Sequence, residues 1–228
     1  MLAEALLTVK PASGQLLYNW GRSDFGQADN NVTGAVPQQV GGSVAPGLST
    51  VLQSWSAVGG MGNNWGAAIR SDGALFTFGD NFSYELGDGT NVSKSSPIQI
   101  GTDANWKQVI CGSNYTMAIK INGTLWGWGD NAWGQLGINS PAGGISSPTQ
   151  VGALTNWSSL ATLYSASFSI KTDGTLWSWG QGNSYNQLAL GNSTSYSSPK
   201  QVGSLTTWRS LFVGGNGGLG SSGFATTN

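Results

Sequence analysis

Short stretches of alternating apolar and polar residues, each cut off by Gly, Pro, Asp-Gly or Asn-Gly, run along the chain. This is the period of β-strands punctuated by turns. The clearest stretches are aromatic: Leu17-Tyr18-Asn19-Trp20-Gly21, Leu75-Phe76-Thr77-Phe78-Gly79, Leu125-Trp126-Gly127-Trp128-Gly129 and Leu176-Trp177-Ser178-Trp179-Gly180. Alternation places Leu, the middle residue and Gly on one face and the two aromatics on the other. The last three follow Asp72-Gly73, Asn122-Gly123 and Asp173-Gly174, pairs that favour a tight hairpin; the first follows Ser13-Gly14.

Four further elements recur after the aromatic strands. Glu85-Leu86-Gly87 and Gln135-Leu136-Gly137 return as Gln187-Leu188-Ala189, and in decayed form as Gln27-Ala28-Asp29. A strand beginning at Pro37, Pro97, Pro148 or Pro199 comes next, and proline at a strand start forfeits no ladder bond. Trp55, Trp106, Trp157 and Trp208, each 51 residues from the next, then open a strand of the type Trp106–Cys111, and an apolar strand such as Tyr115–Lys120 follows. The pattern predicts an all-β chain of four tandem units, at about 14–71, 72–121, 122–172 and 173–225, each a four-stranded antiparallel sheet. Residues 1–13 read as an N-terminal attachment segment and 226–228 as a tail, with the Gly-rich stretch after Phe212 degenerate. Four short strands bury too little alone, so neighbouring sheets must stack face to face as propeller blades.

Composition narrows the function. Only 8% of residues are charged, the net charge is −1, and the nine Lys and Arg are scattered singly, so no basic stripe is offered to a phosphate backbone. With no histidine and Cys111 as the sole cysteine, the chain has no disulfide, no imidazole or thiolate metal site and no His-based catalytic group. Cys111 reads as a small buried apolar residue. The start lacks the basic region of a secretory signal, and no stretch is long and apolar enough to span a membrane. Asp72, Asp80, Asp130 and Asp173 recur at turn positions, where Asp bonds its own backbone. Leu86-Gly87-Asp88-Gly89-Thr90-Asn91 reads as a turn, lacking the spaced acids of a calcium loop and the lysine of a phosphate loop. No catalytic, cofactor or metal residue is assigned.

Taken in order, L-W-x-W-G-x-N, G-Q-L-G, P-x-x-V, W-x-x-V-x-x-G and an apolar strand closed by D-G resemble the repeat of the regulator-of-chromosome-condensation family over about residues 14–225. Trp128-Gly129-Asp130-Asn131-Ala132-Trp133-Gly134-Gln135-Leu136-Gly137 is the clearest stretch. The resemblance implies a β-propeller. The family often has histidine before the final strand, where Trp65, Tyr115 and Ala166 stand here, and its propellers typically have seven blades. Four units form either a small closed ring, a piece of a longer protein, or, the reading placed first, an arc completed by a second chain or by docking on a larger assembly.

Most aromatics belong to the repeat and are expected between blades. Tyr84, Trp133 and Tyr185 lie in the link between aromatic strand and Gln-Leu, and Trp65, Asn114 and Tyr115 precede the final strand; these six are the candidate surface contacts. The functional expectation is a non-enzymatic interaction module contacting other protein chains or a surface glycan, with no nucleic-acid partner and no membrane insertion. A phage tail or capsid-decorating protein, placed on a virion or extracellular surface and made in the cytoplasm, is the specific reading. The alternative follows from the resemblance: a guanine-nucleotide exchange factor or other regulator of a small GTPase.

Overall fold

A computed structural model describes residues 7–9, 16–21, 34–39, 55–61, 64–141, 143–182, 186–214 and 222–227. Strands β1 (Leu7–Val9), β2 (Leu16–Gly21) and β3 (Gly34–Gln39) form a three-stranded sheet. Three four-stranded sheets follow. They are β4 (Trp55–Met61), β5 (Trp65–Arg70), β6 (Leu75–Gly79), β7 (Lys94–Gln99); β8 (Trp106–Cys111), β9 (Tyr115–Lys120), β10 (Leu125–Gly129), β11 (Ile145–Gln150); and β12 (Trp157–Leu163), β13 (Ala166–Lys171), β14 (Leu176–Gly180), β15 (Tyr196–Gln201). A two-stranded sheet of β16 (Trp208–Gly214) and β17 (Ser222–Thr227) ends the series. All strand pairs are antiparallel between sequence neighbours, the meander of propeller blades.

The sheets are cut half a unit away from the sequence units. Each blade opens on the spaced tryptophan, and the Asp72-Gly73, Asn122-Gly123 and Asp173-Gly174 hairpins join the second strand to the third inside a blade. The unit at 72–121 therefore gives β6 and β7 to one sheet and β8 and β9 to the next. Two segments also differ from their expected character. Leu7–Val9 of the attachment segment pairs with β2, and Ser222–Thr227 of the Gly-rich end forms β17 along β16. Phe224 sits opposite Phe212 in that ladder, so strand residues flank the glycines on both sides.

Strand β4 packs on β8, β8 on β12 and β12 on β16, so the tryptophan strand of each blade is innermost. The proline strands β7, β11 and β15 form the outer edges and are the most exposed. The alternation in the aromatic strands sorts their residues as expected. Trp128 packs toward the preceding blade with Trp65, Leu86 and Trp106, whereas Leu125 faces the following blade with Met117, Leu136 and Trp179.

A repeated latch ties one blade to the next. The carbonyl of Glu85 accepts hydrogen bonds from Trp128 Nε1 at 2.9 Å and Thr116 Oγ1 at 2.7 Å. The carbonyl of Gln135 accepts the equivalent pair from Trp179 Nε1 at 2.8 Å and Ser167 Oγ at 2.8 Å. A glycine stands two residues after each carbonyl because the indole lies against it. A Cβ on Gly87 would meet Trp128 Nε1 at 2.6 Å, and one on Gly137 would meet Trp179 Nε1 at 2.8 Å.

Candidate functional site

The loops at one end of the blades form the candidate interface. Because β9 starts opposite the end of β10, the loop joining strands one and two lies beside the loop joining strands three and four. Backbone bonds fix the pair: Asp80 N donates to Asn64 O at 2.9 Å, Asp130 N to Asn114 O at 2.8 Å and Gln181 N to Ser165 O at 2.9 Å. The longer loop is also clipped to the next blade, through Gly89 N to Ser146 O at 2.8 Å and Asn139 N to Ser197 O at 2.7 Å.

Inside the long loop a buried asparagine acts as the organiser. Asn131 Oδ1 accepts from Leu136 N at 3.0 Å and its amide donates to Ser140 O at 2.6 Å. Asn81 does the same with Leu86 N and Thr90 O, and adds a bond to Asp88. Both are fully buried. Replacing Asn131 by alanine strands the buried Leu136 N–H and frees the Ser140 carbonyl, and should cost about 1–3 kcal/mol in urea unfolding. The sequence signal for this role is the Asn two residues after the strand-ending Gly, at Gly79 and Gly129.

Gln135 supplies the second brace: its Oε1 accepts from Trp133 N at 2.9 Å and its Nε2 donates to Asp130 Oδ2 at 2.9 Å. In the preceding blade a carboxylate, Glu85, takes its place. Its Oε2 accepts from Ser83 N at 2.8 Å, and the side chain is only 3% exposed. Burial, reinforced by the Asp80 and Asp130 charges and opposed by backbone hydrogen bonds, pushes its pKa up to about 7.

The six predicted contact residues separate. Trp133 is 47% exposed at the loop tip, and Asn114 is exposed on the neighbouring loop that joins β8 to β9. Tyr84 is half-buried, with φ of 67° where the next blade has Gly134, and its ring covers Gly144 of that blade. Tyr185 lies outside the described residues. Trp65 and Tyr115 do not line an outer face: each begins a second strand and points between blades, 1% and 0% exposed. Tyr115 Oη donates to Ala166 O at 2.8 Å and accepts from Ser167 Oγ at 3.0 Å, and burial raises its pKa. Phe82, 66% exposed, and Tyr164, 39% exposed with φ of 44°, join Trp133 at this end and were missed. Phe82 lies in the same repeated link as Trp133, which was the available signal.

At the opposite end the cations are engaged with aromatic rings. Lys120 Nζ lies 4.7 Å and 4.1 Å from the ring centres of Trp106 and Trp126, and Lys171 Nζ lies 4.7 Å and 3.5 Å from those of Trp157 and Trp177. Lys120 also pairs with Asp103, and Arg70 with Asp72. Burial lowers the Lys171 pKa, with Asp173 acting the other way. Asp72 and Asp173 cap their hairpins as the turn reading requires, accepting from Ala74 N at 3.1 Å and Thr175 N at 3.0 Å. Asp88 likewise accepts from Thr90 N within its turn. Cys111 is half-buried on the innermost strand β8 rather than enclosed. Among the described residues no group of three or more His, Cys, Asp or Glu is arranged to hold a metal ion, and no helix is long and apolar enough to cross a membrane.

Comparison with known proteins gives the same architecture. The chain is 29% identical over 198 residues to the mitochondrial RCC1 domain-containing protein RUG3 of Arabidopsis thaliana, covering 85% of this chain and 44% of that protein. It is 27% identical over 139 residues to the regulator of chromosome condensation of Xenopus laevis, covering 59% and 32%. Among solved structures it resembles yeast Prp20p (Saccharomyces cerevisiae), described for its binding to Gsp1p and histones, with TM-score 0.69, 18% identity and coverage of 90% and 52%. Human WBSCR16 gives TM-score 0.70 at 19% identity, covering 87% and 49%. The chain thus spans half or less of the length of these curated relatives, and about half of the structures. The family model for the regulator of chromosome condensation (RCC1) repeat matches residues 72–119, 122–162 and 173–219, and the chain belongs to that family.

Proposed function

We propose that the chain is a non-enzymatic docking module that regulates a protein partner, with a small GTPase of the Ran type as the partner class. The observation that carries this is the loop end of the blades, where Phe82 and Trp133 project from loops braced by Asn81, Asn131 and Gln135, and Tyr164 from a turn whose carbonyls accept from Ser113 N and Gln181 N. Rigidly held, exposed aromatics are the common anchors of protein interfaces. The titratable groups of the same loops are occupied in bracing them, and this favours binding over chemistry. The GTPase reading is supported by the likeness to Prp20p, a protein described for its binding to Gsp1p and histones. The virion reading, a homo-oligomer and a glycan have no comparable support, and the regulator reading takes precedence.

The test is release of a fluorescent guanine nucleotide from a panel of Ran-type GTPases, run beside direct binding. Saturable binding is expected, and Trp133→Ala should weaken it by about tenfold or more while leaving the unfolding midpoint near that of the wild type. Binding unaffected by Trp133→Ala and Phe82→Ala would remove this end as the interface. Failure to bind any GTPase would remove the partner class.

A further inference from the structure

We propose that Glu85 and Asp80 share one proton, and that this proton switches the turn carrying Phe82 between a braced form and a loosened one, so that docking at the loop end weakens in alkaline solution. The coupling to docking rests on the reading above, whereas the switch is a property of the chain alone.

In the loop after β10, Gln135 uses both ends of its amide. Its Oε1 accepts from Trp133 N and its Nε2 donates to Asp130 Oδ2, each at 2.9 Å. The loop after β6 is built on the same plan. Asp80 follows the strand-ending Gly79 as Asp130 follows Gly129, and each carboxylate accepts the N–H two residues on, from Phe82 at 3.3 Å and from Ala132 at 3.0 Å. Glu85 takes the place of Gln135 and keeps its first bond, accepting from Ser83 N at 2.8 Å. The second bond needs a donor toward Asp80, and a carboxylate has none. With a proton, Glu85 reproduces both halves of the glutamine: one oxygen accepts from Ser83 and the other donates to the Asp80 carboxylate, a charge-assisted bond of the strong kind. Without it, two carboxylates are left together at the base of the turn. The loop after β14 has Gln181 and Gln187 at these places and carries neither carboxyl.

The surroundings favour the proton. The charges acting on Glu85 are those of Asp80 and, from the next blade, Asp130, and both are negative. Lys94 is engaged with Asp88 at 3.0 Å, the Tyr84 ring is turned onto Gly144, and Tyr115 packs into the following junction. Asn64, Ser113 and Asn114 on the adjoining turns are uncharged, as are Thr116 and Trp128, which donate to the Glu85 carbonyl. Burial, reinforced by the two aspartates, raises the Glu85 pKa to about 7, so the proton is held in acid solution and lost as pH rises through neutrality.

The effect of losing it is local. Phe82, 66% exposed, lies between the two carboxyl groups along the chain. The blade junction keeps the bonds of the Glu85 carbonyl, and Asn81 keeps that to Leu86 N. Repulsion across the base of the turn therefore loosens residues 82–84 while the latch holds. A partner that needs Phe82 in place binds only the protonated fraction, and its apparent affinity falls with that fraction.

Glutamate occurs only at Glu4 and Glu85, so isotope labelling of the glutamate carboxyl carbons in the full chain gives one signal for each, and the one missing from Glu85→Gln belongs to Glu85. That signal is expected to titrate near pH 7, and to move toward 4.5 in Asp80→Asn, whose amide donates to the carboxylate. Between about pH 6 and pH 8.5, amide exchange at Phe82 and Ser83 should rise about tenfold more in the wild type than in Glu85→Gln. Gln135 already fills this place in the next blade, so that variant should fold, which thermal unfolding checks. Binding of a Ran-type GTPase should weaken about tenfold over the same range in the wild type and hold in Glu85→Gln. A Glu85 signal that titrates near 4.5, or that does not move in Asp80→Asn, overturns the shared proton. Equal exchange in wild type and Glu85→Gln overturns the switch of the turn. Equal pH dependence of GTPase binding in the two proteins overturns the coupling. Failure of every GTPase to bind removes the docking reading and the coupling with it, while the carboxyl signal and the exchange still decide the switch.

Discussion

Trp179→Ala is expected to lower the unfolding free energy by about 3–5 kcal/mol, the usual cost of emptying a large aromatic site in a core. Trp179 is fully buried between two blades, and its indole N–H is bonded to the Gln135 carbonyl. Truncation opens a cavity at the junction and leaves that carbonyl to Ser167 alone. Trp179→Phe separates the two contributions: it keeps most of the ring and should cost only about 1–2 kcal/mol. Because blades touch mainly their neighbours, the loss should concentrate at this junction. Hydrogen exchange should therefore show β12–β15 opening more readily while β4–β7 keep their protection. Uniform loss across all blades would mean that the arc unfolds as one unit.

Glu85→Gln is the second large effect, and it should stabilise. Glu85 stands where Gln135 stands in the next blade, accepting the Ser83 N–H as Gln135 accepts that of Trp133. Its folded pKa of about 7 lies above the ordinary value of 4.5, so the folded state holds the proton more tightly than the unfolded state. The stability this confers is complete below about pH 4.5 and is lost as pH rises to 7, a fall of about 3 kcal/mol. Glutamine carries no charge to bury and offers an amide toward Asp80. The variant should match the wild type near pH 4.5, exceed it by about 3 kcal/mol at pH 8, and remove the slope between. Asp72 and Asp173, whose hydrogen bonds with Arg70 and Thr175 hold their pKa values below the ordinary value of 3.8, act only in more acid solution. An unchanged slope in urea titrations from pH 4.5 to 8 would assign it to another group.

The strands were legible in the sequence because each carries a period-two pattern and a turn signal of its own. The placement of Trp128 and Leu125 on opposite faces followed from alternation alone. The blade boundaries were not, since a repeat of 51 residues has the same period wherever it is cut, and only the pairing of Trp106 with Lys120 shows where a sheet begins. Within the candidate site, Trp133 could be placed on a loop from its position before Gln135. Trp65 and Tyr115 could not be separated from a surface residue such as Asn114 without the direction of their side chains, which the neighbouring blade determines. Glu85 was seen as a motif variant, but its raised pKa depends on burial against another blade, a long-range property.

The half-unit offset between repeat and sheet bears on how such chains are lengthened. An inserted copy of one unit brings the last two strands of one blade and the first two of the next. It therefore extends an existing blade and starts another that the old chain completes, leaving no unpaired edge at either joint. Duplication of coding segments, the crudest of genetic events, can lengthen this architecture without passing through a misfolded ancestor.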